Sequence, residues 1–209
     1  MPHVIDVLTA GPWVLVLVLI VAGLDAILPF MPSESTVVAA GVVAAATGRP
    51  NLGLLIAAAA LGAYAGDLLS YRIGRRSNRA VAARTARGRR AQLVHDWVHR
   101  MLHGRGGLII VSARYVPGGR STTAFSAGVV GYPLTRFHCY TGLGVLIWAV
   151  QAALLGYLGG AVFADRPLLG LALGCVGALA LSGLVVAVYR LDRPSPVQRQ
   201  ARIVPSPRS

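Results

Sequence analysis

Residues 137–163 and 167–189 contain no Asp, Glu, Lys or Arg. Each run is long enough for an α-helix to cross a hydrocarbon core of roughly 30 Å. In a bilayer such helices are satisfied, because every backbone polar group is bonded within the segment. The rest of the chain has the same character: 55% of its residues are hydrophobic, 13% are charged and the mean hydropathy is +0.63. These values exclude an ordinary soluble globule and predict an all-α membrane protein. The 209 residues suit one membrane domain over 1–190, followed by a tail, 191–209, whose Pro, Ser, Gln and Arg content predicts disorder. The N-terminus has no basic stretch ahead of its first apolar run and is expected to stay as membrane structure.

A net charge of +13 raises the question of nucleic acid, but the positions of the arginines answer it differently. They crowd between Arg72 and Arg105 and again from Arg190 to the end, beside the apolar runs rather than within them. Arginine excess beside membrane spans is the positive-inside signal, so both basic segments are expected on the cytoplasmic side of an inner membrane. No nucleic-acid partner is expected. The two cysteines, Cys139 and Cys175, sit in apolar sequence without metal-ligand spacing and read as two buried small hydrophobes.

Prolines organise the remaining apolar sequence. Residues 12–47 form two arms, 12–28 and 35–47, around Pro29-Phe30-Met31-Pro32-Ser33-Glu34, where a continuous helix is forbidden. The second arm is short for a crossing, which predicts a re-entrant hairpin, with a turn at Gly48-Arg49-Pro50-Asn51 and a full span over 52–71. In the basic segment 72–105, Leu93, Val94, Trp97, Val98, Met101 and Leu102 recur at helical spacing, as in an amphipathic helix lying on the membrane surface. Residues 107–130 again form two short arms, here around Arg114-Tyr115-Val116-Pro117-Gly118-Gly119-Arg120, and predict a second re-entrant hairpin. With 137–163 and 167–189 as crossings, the bundle holds about three full transmembrane helices. Parity sends the two hairpins in from opposite faces, the pattern of an inverted repeat.

Ionisable groups inside apolar arms are costly and mark ion or substrate paths. Asp25 and Glu34 stand out in a chain with seven acidic residues. Either they face a cavity, or Glu34 caps the following arm with Ser33, or both groups lie at headgroup depth. Arg114 and Arg120 offer forked donors to a phosphate, pair with the carboxylates, or snorkel to the interface. Asp67, in Gly66-Asp67-Leu68-Leu69-Ser70-Tyr71-Arg72-Ile73-Gly74-Arg75, either orients a cavity wall or makes a salt bridge at a helix end. His95, His99 and His103 share one helical face, which reads as the wet side of the surface helix rather than as a metal site. Gly170 and Gly174 suit helix contact.

Three motifs in this order resemble the DedA family with its SNARE-associated, or VTT, domain: Asp25 with Pro29-Phe-Met-Pro32-Ser-Glu34; Gly66-Asp67 with Tyr71, Gly74 and Arg75; and Arg114-Tyr-Val-Pro117-Gly118-Gly-Arg120. The likeness covers roughly residues 10 to 190, and the family more often has Glu at the position of Asp25. The resemblance implies two opposed re-entrant hairpins and movement of lipids across the membrane. For a bacterial member the resemblance implies a link to recycling undecaprenyl phosphate, the lipid carrier of envelope synthesis, with dependence on the proton motive force. It also implies that Asp25 and Glu34 form a proton-responsive pair and that Arg114 and Arg120 engage an anionic head group, with no cofactor. A membrane phosphatase reading finds no His nucleophile beside the arginines, because His138 sits at a span entrance and the other late histidines fall on the surface helix. The expected activity is therefore transport rather than an enzymatic reaction. Other readings are a non-selective scramblase or a membrane scaffold.

Overall fold

The computed structural model describes residues 12–26, 33–85, 107–115, 118–163 and, beyond them, 172, 175–177, 180 and 183, with the side chains of 78–85 excepted. All regular structure among the described residues is helical. In chain order, α1 is Trp13–Leu24, α2 is Ser33–Thr47 and α3 is Leu52–Thr85. A short helical stretch over 107–112 then tightens into a 3-10 turn at Ala113–Tyr115, followed by α4, Gly119–Val129, and α5, Leu134–Val162.

Local chemistry sets several of these boundaries. Asn51 starts α3, its Oδ1 accepting from the backbone N–H groups of Gly53 at 2.8 Å and Leu54 at 3.3 Å. Gly118 precedes α4 with φ of 68°, a left-handed conformation that favours glycine and turns the chain sharply between Arg114 and Arg120. Pro133 stands immediately before α5.

Two segments, Leu52–Ser77 and Leu134–Val162, are long and apolar enough to cross a bilayer. The arms α1 and α2 have 12 and 15 residues, about 18 and 22 Å at the rise of an α-helix, and each is too short to cross alone. Their ends meet: Ser33 Oγ at the start of α2 donates to Asp25 Oδ2, at the end of α1, across 2.7 Å.

Glycine lets these helices approach to backbone contact, the usual means of close packing in membrane bundles. A Cβ added at Gly62 or Gly66 would overlap the carbonyl oxygen of Leu19 or Gly23, so α1 runs directly along α3. A Cβ at Gly156 would overlap the carbonyl of Val38, which seats α2 on α5, and one at Gly128 would overlap that of Tyr71, which seats α4 on α3. The arms are thus exchanged: the first broken element lends α2 to the second long helix, and the second lends α4 to the first. Val18, Val37, Leu55, Val145 and Trp148 form one core, and Tyr71, Ile109, Ala127 and Phe137 form another. The outer face of α5 exposes Leu143, Leu146, Ile147, Leu154, Leu158 and Val162, an apolar surface suited to lipid.

Three readings of the sequence change. The helix expected over 52–71 continues unbroken to Thr85, because no proline interrupts 72–85 and arginine and alanine are good helix formers. Asp67 therefore lies in mid-helix rather than at a helix end. Cys139 is exposed on α5 rather than buried, while Cys175 is half-buried against the first core; apolar sequence in such a chain marks lipid contact as readily as core. The surface helix with Leu93 to Leu102, the face of His95, His99 and His103, Gly170 and Gly174, the tail 191–209, and Pro29, Pro32 and Pro117 lie outside the described residues. The crossing over 167–189 is described only at isolated positions.

Candidate functional site

The two breaks in the apolar arms come together around Asp67. Arg114, in the 3-10 turn, donates from Nη2 to Asp67 Oδ2. Arg120, in the first turn of α4, donates from Nε to Asp67 Oδ1 at 2.6 Å and from Nη1 to Asp25 Oδ2 at 3.2 Å. One carboxylate on α3 therefore holds both arginines, and the second carboxylate, at the end of α1, accepts from both Arg120 and Ser33. This ion lattice is buried: side-chain exposure is 3% for Arg114, 4% for Asp67, 10% for Arg120 and 19% for Asp25. Charges so far from water persist only when paired and hydrogen-bonded.

Arg120 does more than pair with acids. Its Nη2 donates to the carbonyl oxygens of Ala22 at 3.1 Å and Ala63 at 3.0 Å. Ala22 lies in the last turn of α1, where carbonyls lack helical partners and the helix dipole favours a cation. The guanidinium therefore caps the broken end of α1. A cation in the first turn of its own helix, α4, is placed against that helix's dipole, so tertiary partners rather than local preference hold it there. Trp148 on α5 covers the Arg120 guanidinium at 5.9 Å from the ring centroid.

Arg114 is held differently. Its aliphatic stem packs at Gly144 on α5, where an added Cβ would sit 3.4 Å from Cδ and Nε. Its Nη1 is buried and has no hydrogen-bond partner among the described residues; Thr141 Oγ1, one turn before Gly144, is in the same condition. Tyr115 Oη donates to Gln151 Oε1 at 3.2 Å, joining the second break to α5. Glu34, half-buried and next to Ser33, lies within electrostatic reach of Asp25 and Tyr115.

A model of the VTT domain matches residues 31–158, which contain both arginines, Asp67 and Glu34. The chain belongs to the DedA family of VTT-domain proteins. It is 27% identical to protein DedA of Escherichia coli strain K12 over 158 residues, covering 73% of this chain and 71% of that one. It is 32% identical to the uncharacterized membrane protein Rv0364 of Mycobacterium tuberculosis strain H37Rv over 192 residues, covering 88% and 82%. Identity to the inner membrane protein YghB of Escherichia coli strain K12 is 30% over 134 residues, covering 61% and 58%. No solved structure matches the chain. With its two long apolar helices, this DedA-family chain is a membrane protein.

The sequence motifs of this DedA-family member occupy distinct places. Gly66 and Gly74 are contact glycines, against Gly23 and Phe125. Tyr71 donates to the carbonyl of Tyr132 at 2.5 Å, accepts from Arg75 Nη1 at 3.1 Å and stacks on Phe137. These four residues support the site without entering it. Asp25, Arg114 and Arg120 do enter it, and so does Asp67, which the sequence had marked only as a supporting residue. Glu34, expected as the partner of Asp25, forms no ion pair with either arginine among the described residues; the carboxylates that grip them are Asp25 and Asp67. The missed signal was the unbroken helical pattern past Tyr71, which puts Asp67 at the depth of an apolar helix. Nothing in the sequence singled out Trp148 as the cover of Arg120, Ser33 as a donor to Asp25 or Gln151 as the partner of Tyr115.

Proposed function

We propose that this protein moves a lipid phosphate of the undecaprenyl phosphate type across the cytoplasmic membrane, in exchange for or together with protons. The observation that carries the reading is the buried lattice in which Asp67 and Asp25 hold Arg114 and Arg120 at the meeting point of two helix breaks. In this reading the broken arms re-enter the bilayer from opposite faces, and the basic stretch after Tyr71 lies in the cytoplasm. Two carboxylates, Asp25 and Asp67, hold the two guanidinium groups, and Glu34 lies within electrostatic reach of Asp25. A phosphate that takes the donors Arg114 and Arg120 now give to Asp67 and Asp25 replaces a carboxylate as their acceptor, and protonation of that carboxylate removes the competition. Anion binding and proton binding thereby favour each other, which is the requirement for coupling.

The reading is tested with purified protein in proteoliposomes, following the accessibility of fluorescent undecaprenyl phosphate and of an ordinary phospholipid with and without an imposed pH gradient. Selective, gradient-sensitive movement of the polyprenyl lipid is expected. Equal movement of both lipids would make the protein a scramblase, and no movement would leave it a scaffold.

A further inference from the structure

The two arginines differ in what they still have to offer. Arg120 uses Nε, Nη1 and Nη2 on Asp67, Asp25 and the carbonyls of Ala22 and Ala63, so little of its donor capacity remains. Arg114 spends Nη2 on Asp67 and keeps Nη1 buried without a partner among the described residues. A buried donor in that state is costly and calls for a partner beyond the described residues, such as water, an ion or a ligand.

A second such atom lies close by in the fold. Thr141 is 2% exposed, and its Oγ1 also lacks a partner among the described residues. Its position on α5 is bracketed by contacts on either side. One turn earlier, His138 Nδ1 bonds Tyr64 Oη on α3, and Tyr64 is itself one turn from Asp67. One turn later, Gly144 receives the stem of Arg114 and the backbone of Val111. Thr141 therefore lies on the stretch of α5 that packs toward α3 and the 107–115 segment, between the contacts made by His138 and Gly144.

We propose that Arg114 and Thr141 form the anion-contacting pocket of this site, taking the oxygens of a phosphate monoester, and that Arg120 is a positioning residue that locks the broken end of α1 to α3. This rests on the lipid-phosphate reading and divides the labour within it. Arg114 supplies charged donors through Nη1, and the Thr141 hydroxyl supplies a neutral one.

The test uses the full chain in detergent and reads the thermal unfolding midpoint with inorganic phosphate or with a medium-chain alkyl phosphate monoester. Wild type is expected to gain stability with the monoester; an equal gain with inorganic phosphate would assign the pocket to the free anion, whereas a gain confined to the monoester assigns it to a lipid head group. Thr141→Val is expected to unfold at or above the wild-type midpoint without ligand, because an unsatisfied buried hydroxyl is gone, yet to bind about tenfold more weakly, with Thr141→Ser restoring affinity. Arg114→Gln should abolish the ligand-dependent gain, while Arg120→Gln should lower the midpoint and keep that gain. A Thr141→Val protein with wild-type ligand response, or an Arg120→Gln protein that alone loses it, overturns the division of labour. A wild type that responds to neither phosphate overturns the lipid-phosphate reading itself.

Discussion

Arg120 on α4 lies 2.6 Å from Asp67 on α3, and through that contact a residue beside the second helix break is fixed to the long helix that also carries the first break's α1. The other oxygen of Asp67 holds Arg114, so one carboxylate is bonded to both cations. Its replacement should be the most damaging change at the site. Asp67→Asn leaves Arg120 with Asp25 and Arg114 with no acidic partner among the described residues, and removal of one member from a buried ion pair costs about 3–5 kcal/mol. Thermal unfolding in detergent should show a large fall in midpoint, greater than for Asp25→Asn, whose side chain is more exposed.

Much of this site was legible in the sequence. The prolines and paired apolar arms marked the breaks, and Asp25, Arg114 and Arg120 stood out as charges beside them. What could not be read was pairing across long separations. Ala22 and Arg120 are distant in the chain, and only the packing of α1 on α3 through Gly62 and Gly66 brings them together. Asp67 was underrated because the run of arginines after Tyr71 looks like the end of a span, although helical hydrogen bonding continues through it to Thr85.

Backbone contact between α3 and α4 gives a second expectation. Gly128→Ala places a methyl group against the Tyr71 carbonyl, and such overpacking costs about 1–3 kcal/mol. Gly142→Ala on α5 meets no atom within 4 Å and should instead stabilise the helix by up to about 1 kcal/mol. Unfolding midpoints of the two variants should therefore move in opposite directions.

Tyr71 offers a smaller and cleaner perturbation. Its ring stacks on Phe137 with centroids 4.6 Å apart, while its hydroxyl donates to the Tyr132 carbonyl at 2.5 Å and accepts from Arg75. Tyr71→Phe keeps the stack and removes the buried hydrogen bond, a change of about 1–2 kcal/mol. A fall in unfolding midpoint with lipid movement largely retained is the expected result.

Ser33→Ala probes the closure of the first break. The hydroxyl donates to a carboxylate, and such charge-assisted bonds contribute about 1.5–3 kcal/mol, so the variant should be less stable and its first break more open to protease. Limited proteolysis followed by mass spectrometry would locate the cut.

The most direct measurement of the central claim is the initial rate at which fluorescent undecaprenyl phosphate changes leaflet in proteoliposomes carrying wild type or Arg114→Gln, each verified as folded before reconstitution. Fast movement by wild type that falls to the protein-free rate in the variant is the predicted result. Equal rates for the two proteins would contradict the claim that this buried arginine carries the lipid phosphate.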